Sequence, residues 1–241
     1  ERVAAAFASD PQLILLSHDY AIVDGDGIAT GAIDETKRNM RRILQRHPSR
    51  ETLSEMLKDS ITGYRGVWLG SAFSLRREAI DVPELERFIA SVAIPRFRQL
   101  SYQDHLLAQY VIVSRPEGVV GFVDEVLFDY RIFPGNTSGL SATHAAALRT
   151  LTRAHVNVLG TQAVLRGFPR FDRQLRRQRL LAAEYRYMMA LYTGRRAGAL
   201  VLAGRLARGF WSPLRTGKEM ARVAGMIVLG ADRFFRIKAS R

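Results

Sequence analysis

The sequence predicts an α/β part, a mixed sheet with flanking helices, followed by an all-helical basic part. Three observations predict it. Leu13 to Leu16 form a continuous apolar run within "QLILLSHDYAIV", the mark of a strand buried on both faces. Amphipathic helical stretches then alternate with short strand-like runs as far as about residue 140. Beyond that point the chain is Ala/Leu-rich and its charge changes. Residues 1–144 hold 16 Lys+Arg against 19 Asp+Glu, net −3, whereas residues 145–241 hold 20 against 4, net +16. The net charge of +13 therefore belongs to the second part. The expected division is 1–140 and 141–241.

The elements follow in order. Residues 1–9, "ERVAAAFAS", read as a helix stopped by Asp10-Pro11. The strand through Val23 runs into "DGDG", with "IATG" resuming apolar character, which is a hairpin signal. "DETKRNMRRILQRH" begins with an Asp34 cap and sets Met40, Ile43 and Leu44 on one side of a polar helix. "SRETLSEMLKDS" has Ser49 as N-cap, with Thr52 standing in for the capping-box acid. "GVWLGSAFSLRREAI" reads as strand, turn and short helix, and "VPELERFIASVAI" as a helix with Pro83 in its first turn. "SYQDHLLAQYVIVS" is helical with Ser101 as the expected cap. "GVVGFVDEVLFDYRIF" reads as two short strands around Asp124-Glu125, followed by the loop "PGNTSG". Four helices are expected after Ser141, the second capped by Asp172 and closed by Gly194.

Composition excludes several chemistries. The 241 residues are 47% hydrophobic, ample for a packed core. With no cysteine there is no disulfide, thiolate nucleophile or cysteine metal site, and a reducing compartment fits. His18, His47, His105, His144 and His155 share no metal spacing. Gly-x-Ser-x-Gly, Gly-x-Gly-x-x-Gly and P-loop patterns are all absent. The longest uncharged apolar run in the second part, Val223 to Ala231, falls well short of the ~20 residues that span a bilayer. Basic residues mixed with aromatics, as in "GRLARGFW" and "DRFFRIK", suit an in-plane helix at an anionic membrane surface through 170–241, and no RRM, KH or zinc pattern points to nucleic acid.

Two carboxylate motifs remain. Asp24-x-Asp26 is either a metal site or a turn. A turn accounts for all four residues of "DGDG" and a metal site for only two, so no metal ligand is expected there. Asp104 falls in the first turn of its helix. By its residues alone it is either a helix-stabilising acid or a general base for a hydroxyl.

The order of motifs over residues 1–139 resembles the second half of a family 2, GT-A type glycosyltransferase. "LLSHDYAIVDGDG" carries Asp19-Tyr20 ahead of the hairpin, "LGSAFSLRREAI" matches a later strand, "YQDHLLAQY" a helix start, and "GVVGFVDEVLFDYRIFPGNTSG" the closing strand and loop. The resemblance implies an inverting transfer of a sugar from a nucleotide-sugar donor to a glycan or lipid-linked acceptor, with Asp104 as catalytic base. It places Asp19, Gly70, Ser71, Gln103 and His105 around the substrates, and Arg131, Asn136 and Ser138 on the loop near the diphosphate. The family's Asp-x-Asp lies ahead of the matched segment. A divalent Mg or Mn ion is thus expected to be held mainly by polypeptide upstream of Glu1, together with the nucleotide-binding half. Gln103 stands where the family commonly has Glu, and the loop lacks the family's frequent His. The implied location is the cytoplasm, peripheral at the inner face of the cell membrane. The alternative is a non-catalytic module derived from a transferase that docks a membrane or partner protein.

Overall fold

A computed structural model of the chain describes residues 1–63, 70–132, 144–230 and 233. The described residues form an α/β protein dominated by helices, with a three-stranded mixed sheet. They divide into two compact units. The first comprises Glu1–Ala93, Tyr102–Gly139 and Ala163–Gln174, and the second Ile94–Ser101, Leu140–Gln162 and Leu175–Arg241. The boundary expected near 140 is thus crossed twice: 163–174 group with the first unit and 94–101 with the second.

In the first unit, helix α1 (Arg2–Ser9) leads to strand β1 (Leu13–Val23). The sheet order is β2-β1-β3, with β2 (Phe73–Leu75) antiparallel to β1 and β3 (Val119–Arg131) parallel to it. β1 is central, which is why Leu13, Ile14, Leu15 and Leu16 are all at most 7% exposed. Helix α2 (Glu35–Arg46) starts where the Asp34 carboxylate accepts from Lys37 N–H at 2.8 Å. Helix α3 (Arg50–Thr62) is capped by Ser49, whose hydroxyl accepts from Thr52 N–H. Leu57 and Ile61 of α3 are buried, as are Leu106, Val111, Ile112 and Val113 of α6 (Gln103–Ser114). Helix α4 (Val82–Ser91) has the Asp81 cap and Pro83 in its first turn. Arg76 ties the amino end to the sheet, donating to the carbonyls of Leu13 (2.8 Å), Phe7 (2.6 Å) and Asp10 (2.9 Å).

Four local expectations change. The segment around Asp124-Glu125 is one 13-residue strand, not two. His18 pairs with Val123 and Asp19 with Val126, so Asp124 and Glu125 form a bulge that lets the parallel ladder resume. "IATG" makes only an isolated antiparallel bridge, Val23 to Ala29, rather than a second strand. Ser101 closes the short helix α5 (Phe97–Leu100), and Tyr102 occupies the cap position of α6 without a side-chain bond. Asp172 is the first residue of α8, a 3₁₀ turn at Pro169–Phe171 leading directly into that helix.

The second unit is helical. Helices α7 (His144–Leu165) and α8 (Asp172–Tyr192) each begin in one unit and end in the other. α8 closes at Gly194, which has φ 73°, while Arg195 N–H reaches Ala190 O at 2.8 Å. α9 (Arg196–Gly209) and α10 (Pro213–Leu229) follow. α10 starts where Ser212 caps it ahead of Pro213. The core joins Tyr187, Leu191, Ala199, Ala203, Leu206, Trp211, Val223 and Met226. The Tyr187 and Trp211 rings meet edge to face at 5.1 Å. Glu219 and Glu184, buried acids of this basic unit, are engaged inside it: Glu219 with Arg222 and the Tyr187 hydroxyl, Glu184 with Arg215.

Candidate active site around Asp104 and Gly70

A 3₁₀ turn at Gly70–Ala72 enters β2 beside the second half of β1. Ser17 holds the turn there, its hydroxyl donating to Ala72 O at 2.8 Å. β1 and β3 run parallel towards this end, and ligands of open α/β sheets bind beyond the carboxyl ends of such strands.

Asp104 meets this turn. It lies in the first turn of α6 and is exposed, and it makes no hydrogen bond or ion pair among the described residues. Its carboxylate rests on the backbone of Gly70. A Cβ added at Gly70 falls 1.6 Å from Asp104 Oδ2 and 2.7 Å from Cγ. Only glycine leaves room for the carboxylate here. An unengaged carboxylate of this kind can accept a hydroxyl proton.

His105 departs from the expectation that it faces substrate. It is 7% exposed and turned inward, its Nε2 3.1 Å from Ile61 O and 2.8 Å from Gln109 Nε2. Gln109 also donates to Ile61 O at 2.9 Å. Its two amide protons serve both acceptors if His105 carries its own proton on Nδ1, the consistent tautomer. Burial pushes the imidazole down to about 4, against a smaller opposing pull from Ile61 O and the Asp104 charge. His105 is therefore a neutral group that packs α6 on α3 and so holds its neighbour Asp104 in place.

Asp19 is likewise spent on the fold. It pairs with Lys37 Nζ at 2.8 Å, with side-chain exposures of 18% and 7%. Lys37 also donates to Tyr20 O and lies 4.9 Å from the Tyr20 ring centre. The Tyr20 hydroxyl donates to both oxygens of Asp34, at 2.9 and 2.8 Å. Burial and then the Asp34 charge hold that phenol well above its ordinary range. Ser17, Asp19, Lys37, Met40, Ala72 and Phe122 line a narrow cleft at this network. Lys37 was missed from sequence. Its place one helical turn before Met40, on the inward face, was the available signal.

The remaining expected residues are dispersed. Gln103 is exposed at the start of α6, and Ser71 is the second residue of the Gly70–Ala72 turn. Arg131 ends β3 near the hairpin turn, its Nη2 3.5 Å from where a Gly27 Cβ would stand. Asn136 and Ser138 lie outside the described residues. In the hairpin, Asp24 Oδ1 accepts from Asp26 N–H (3.0 Å) and Ile28 N–H (2.9 Å), which makes it a turn-former. Among the described residues no group of three His, Asp or Glu converges as a metal would require. These residues do not fit a divalent cation. Among them, too, no helix is long and apolar enough to cross a membrane. Compared with known proteins, the chain matches no family model, no curated protein and no solved structure.

Proposed function

We propose that this chain is the acceptor-side part of an inverting glycosyltransferase of GT-A type, related to family 2, with Asp104 as general base. One observation carries the reading. Gly70 and Asp104 are the positions that the motif resemblance assigns to the donor-side turn and the base, and the fold brings them into contact. Asp104 takes the proton of an acceptor hydroxyl. The freed oxygen bonds to the anomeric carbon from the face opposite the leaving nucleotide diphosphate, and inversion follows. Gln103 offers a neutral amide beside it, and His105 stays uncharged behind it. The nucleotide-sugar and its metal are held mainly by polypeptide outside these residues.

The same reading puts the protein in the cytoplasm, against the inner face of a membrane. α10 exposes Leu214 (87%), Ile227 (38%) and Val228 (80%) in the same helix as Arg215 and Lys218. Each cation near an anionic surface contributes about 1 kcal/mol. That surface also favours the second reading, a transferase-derived module that docks a membrane without catalysis.

Asp104→Asn in a protein that joins this chain to the nucleotide-binding polypeptide separates them. The expected result is a loss of sugar transfer of about 10²- to 10⁴-fold with donor binding retained. Undiminished transfer removes Asp104 from the base role. Vesicle binding without any donor-dependent transfer by the wild type leaves the docking module.

A further inference from the structure

A second site lies between α2 and α3. Asn39, Arg42, Ile43 and Arg46 follow the i, i+3, i+4, i+7 spacing of one face of α2. Met56 and Ser60, one turn apart on α3, face them across a cleft whose end is closed by His47. No carboxylate lines it. The nearby acids of α3 are engaged elsewhere: Glu55 pairs with Lys58 at 2.9 Å and Arg170 at 3.2 Å, and Asp59 accepts from Gln174 at 2.9 Å.

The cations of the cleft have no acidic partner among the described residues. The Arg42 guanidinium meets only Asn39 Oδ1 (2.9 Å) and Arg38 O (3.3 Å), so it has no anionic partner among the described residues. Arg46 and His47 have no side-chain partner among them either. Ser60 lines the cleft and makes no side-chain hydrogen bond among the described residues.

Two guanidinium forks, an imidazole and a hydroxyl supply more donors than a carboxylate can accept, and they match a phosphoryl group with its several oxygens. Ile43 and Met56 add an apolar wall beside them. The geometry points to a binding site for a phosphate ester, with the phosphoryl group on Arg42, Arg46, His47 and Ser60 and its organic part against Ile43 and Met56. This site is separate from the Asp104 reading and stands without it.

The test is calorimetric titration of the full chain with inorganic phosphate and with hexyl phosphate. It is accompanied by sedimentation with phosphatidic acid or phosphatidylcholine vesicles. Hexyl phosphate is expected to bind one to one and more tightly than inorganic phosphate. Arg46→Gln and Ser60→Ala are expected to weaken it about tenfold or more, while Arg173→Gln, an equal loss of charge on exposed α8, leaves it unchanged. Cleft-dependent binding to phosphatidic acid vesicles identifies a lipid headgroup as the source. Cleft-dependent binding of hexyl phosphate alone identifies a soluble ester. The proposal is overturned if neither probe binds at millimolar concentration, or if Arg46→Gln and Arg173→Gln weaken binding equally.

Discussion

Replacing Lys37 with Met tests whether the end of β1 is held by a buried charge pair. Met keeps the length and apolar stem of Lys and removes only the ammonium. Asp19 then loses its 2.8 Å partner, and Tyr20 O loses a donor. Breaking a buried ion pair by deleting one member costs about 3–5 kcal/mol. Asp19 keeps 18% of its side-chain exposure, so water recovers part of that cost, and about 2–4 kcal/mol is expected. Asp19→Asn in the Lys37→Met background removes the stranded charge and is expected to return roughly 1–3 kcal/mol as coupling. Urea unfolding followed by far-ultraviolet circular dichroism gives the totals, and amide exchange along β1 localises them. A Lys37→Met protein within about 0.5 kcal/mol of wild type, or strictly additive variants, refutes the account.

Three further outcomes follow from the same geometry. Gly70→Ala inserts a Cβ 1.6 Å from Asp104 Oδ2, and the exposed carboxylate has to swing away. Stability is expected to change by less than about 1 kcal/mol, while transfer, measured with the nucleotide-binding polypeptide present, falls about 10²-fold because the base is displaced by more than an ångström. His105 titrates at about 4 when folded, below its ordinary 6.5, so the unfolded chain binds the proton first. The stability this contributes is complete above pH 6.5 and is lost as pH falls towards 4, by up to about 3 kcal/mol. His105→Gln is expected to flatten that part of a stability-versus-pH curve. On the tail, Leu214→Glu with Val228→Glu is expected to weaken co-sedimentation with anionic vesicles at least tenfold, without changing the helical signal. Unchanged sedimentation excludes α10 as the contact.

Much of the fold was legible because it depends on short-range physics. The Leu13–Leu16 run announced a central strand, and all four residues are buried. Asp34 and Ser49 cap helices because a side-chain oxygen satisfies an orphan N–H three residues on, within the span of a local motif. Gly194 closes α8 with the positive φ that glycine permits. The errors also have local causes. Asp124-Glu125 resembles a turn between strands, yet parallel pairing with β1 carries the chain through it as a bulge. Ser101 is a good cap by type, but it is already the terminal residue of α5.

The sequence by itself determined the helical capping, the buried central strand, the charge asymmetry between the two parts and the candidacy of Asp104 in a first helical turn. Tertiary structure alone decided which polar groups remain open to a ligand. His105 and Asp19 carry the same chemistry as exposed residues, but Ile61 and Lys37, distant in sequence, turn them into the core. Gly70 becomes the floor beneath Asp104, and Ser60 opens onto Arg42 and Arg46. Desolvation and pairing are set by Lys37, 18 residues from Asp19, and Ile61, 44 residues from His105, and no local pattern encodes those neighbours.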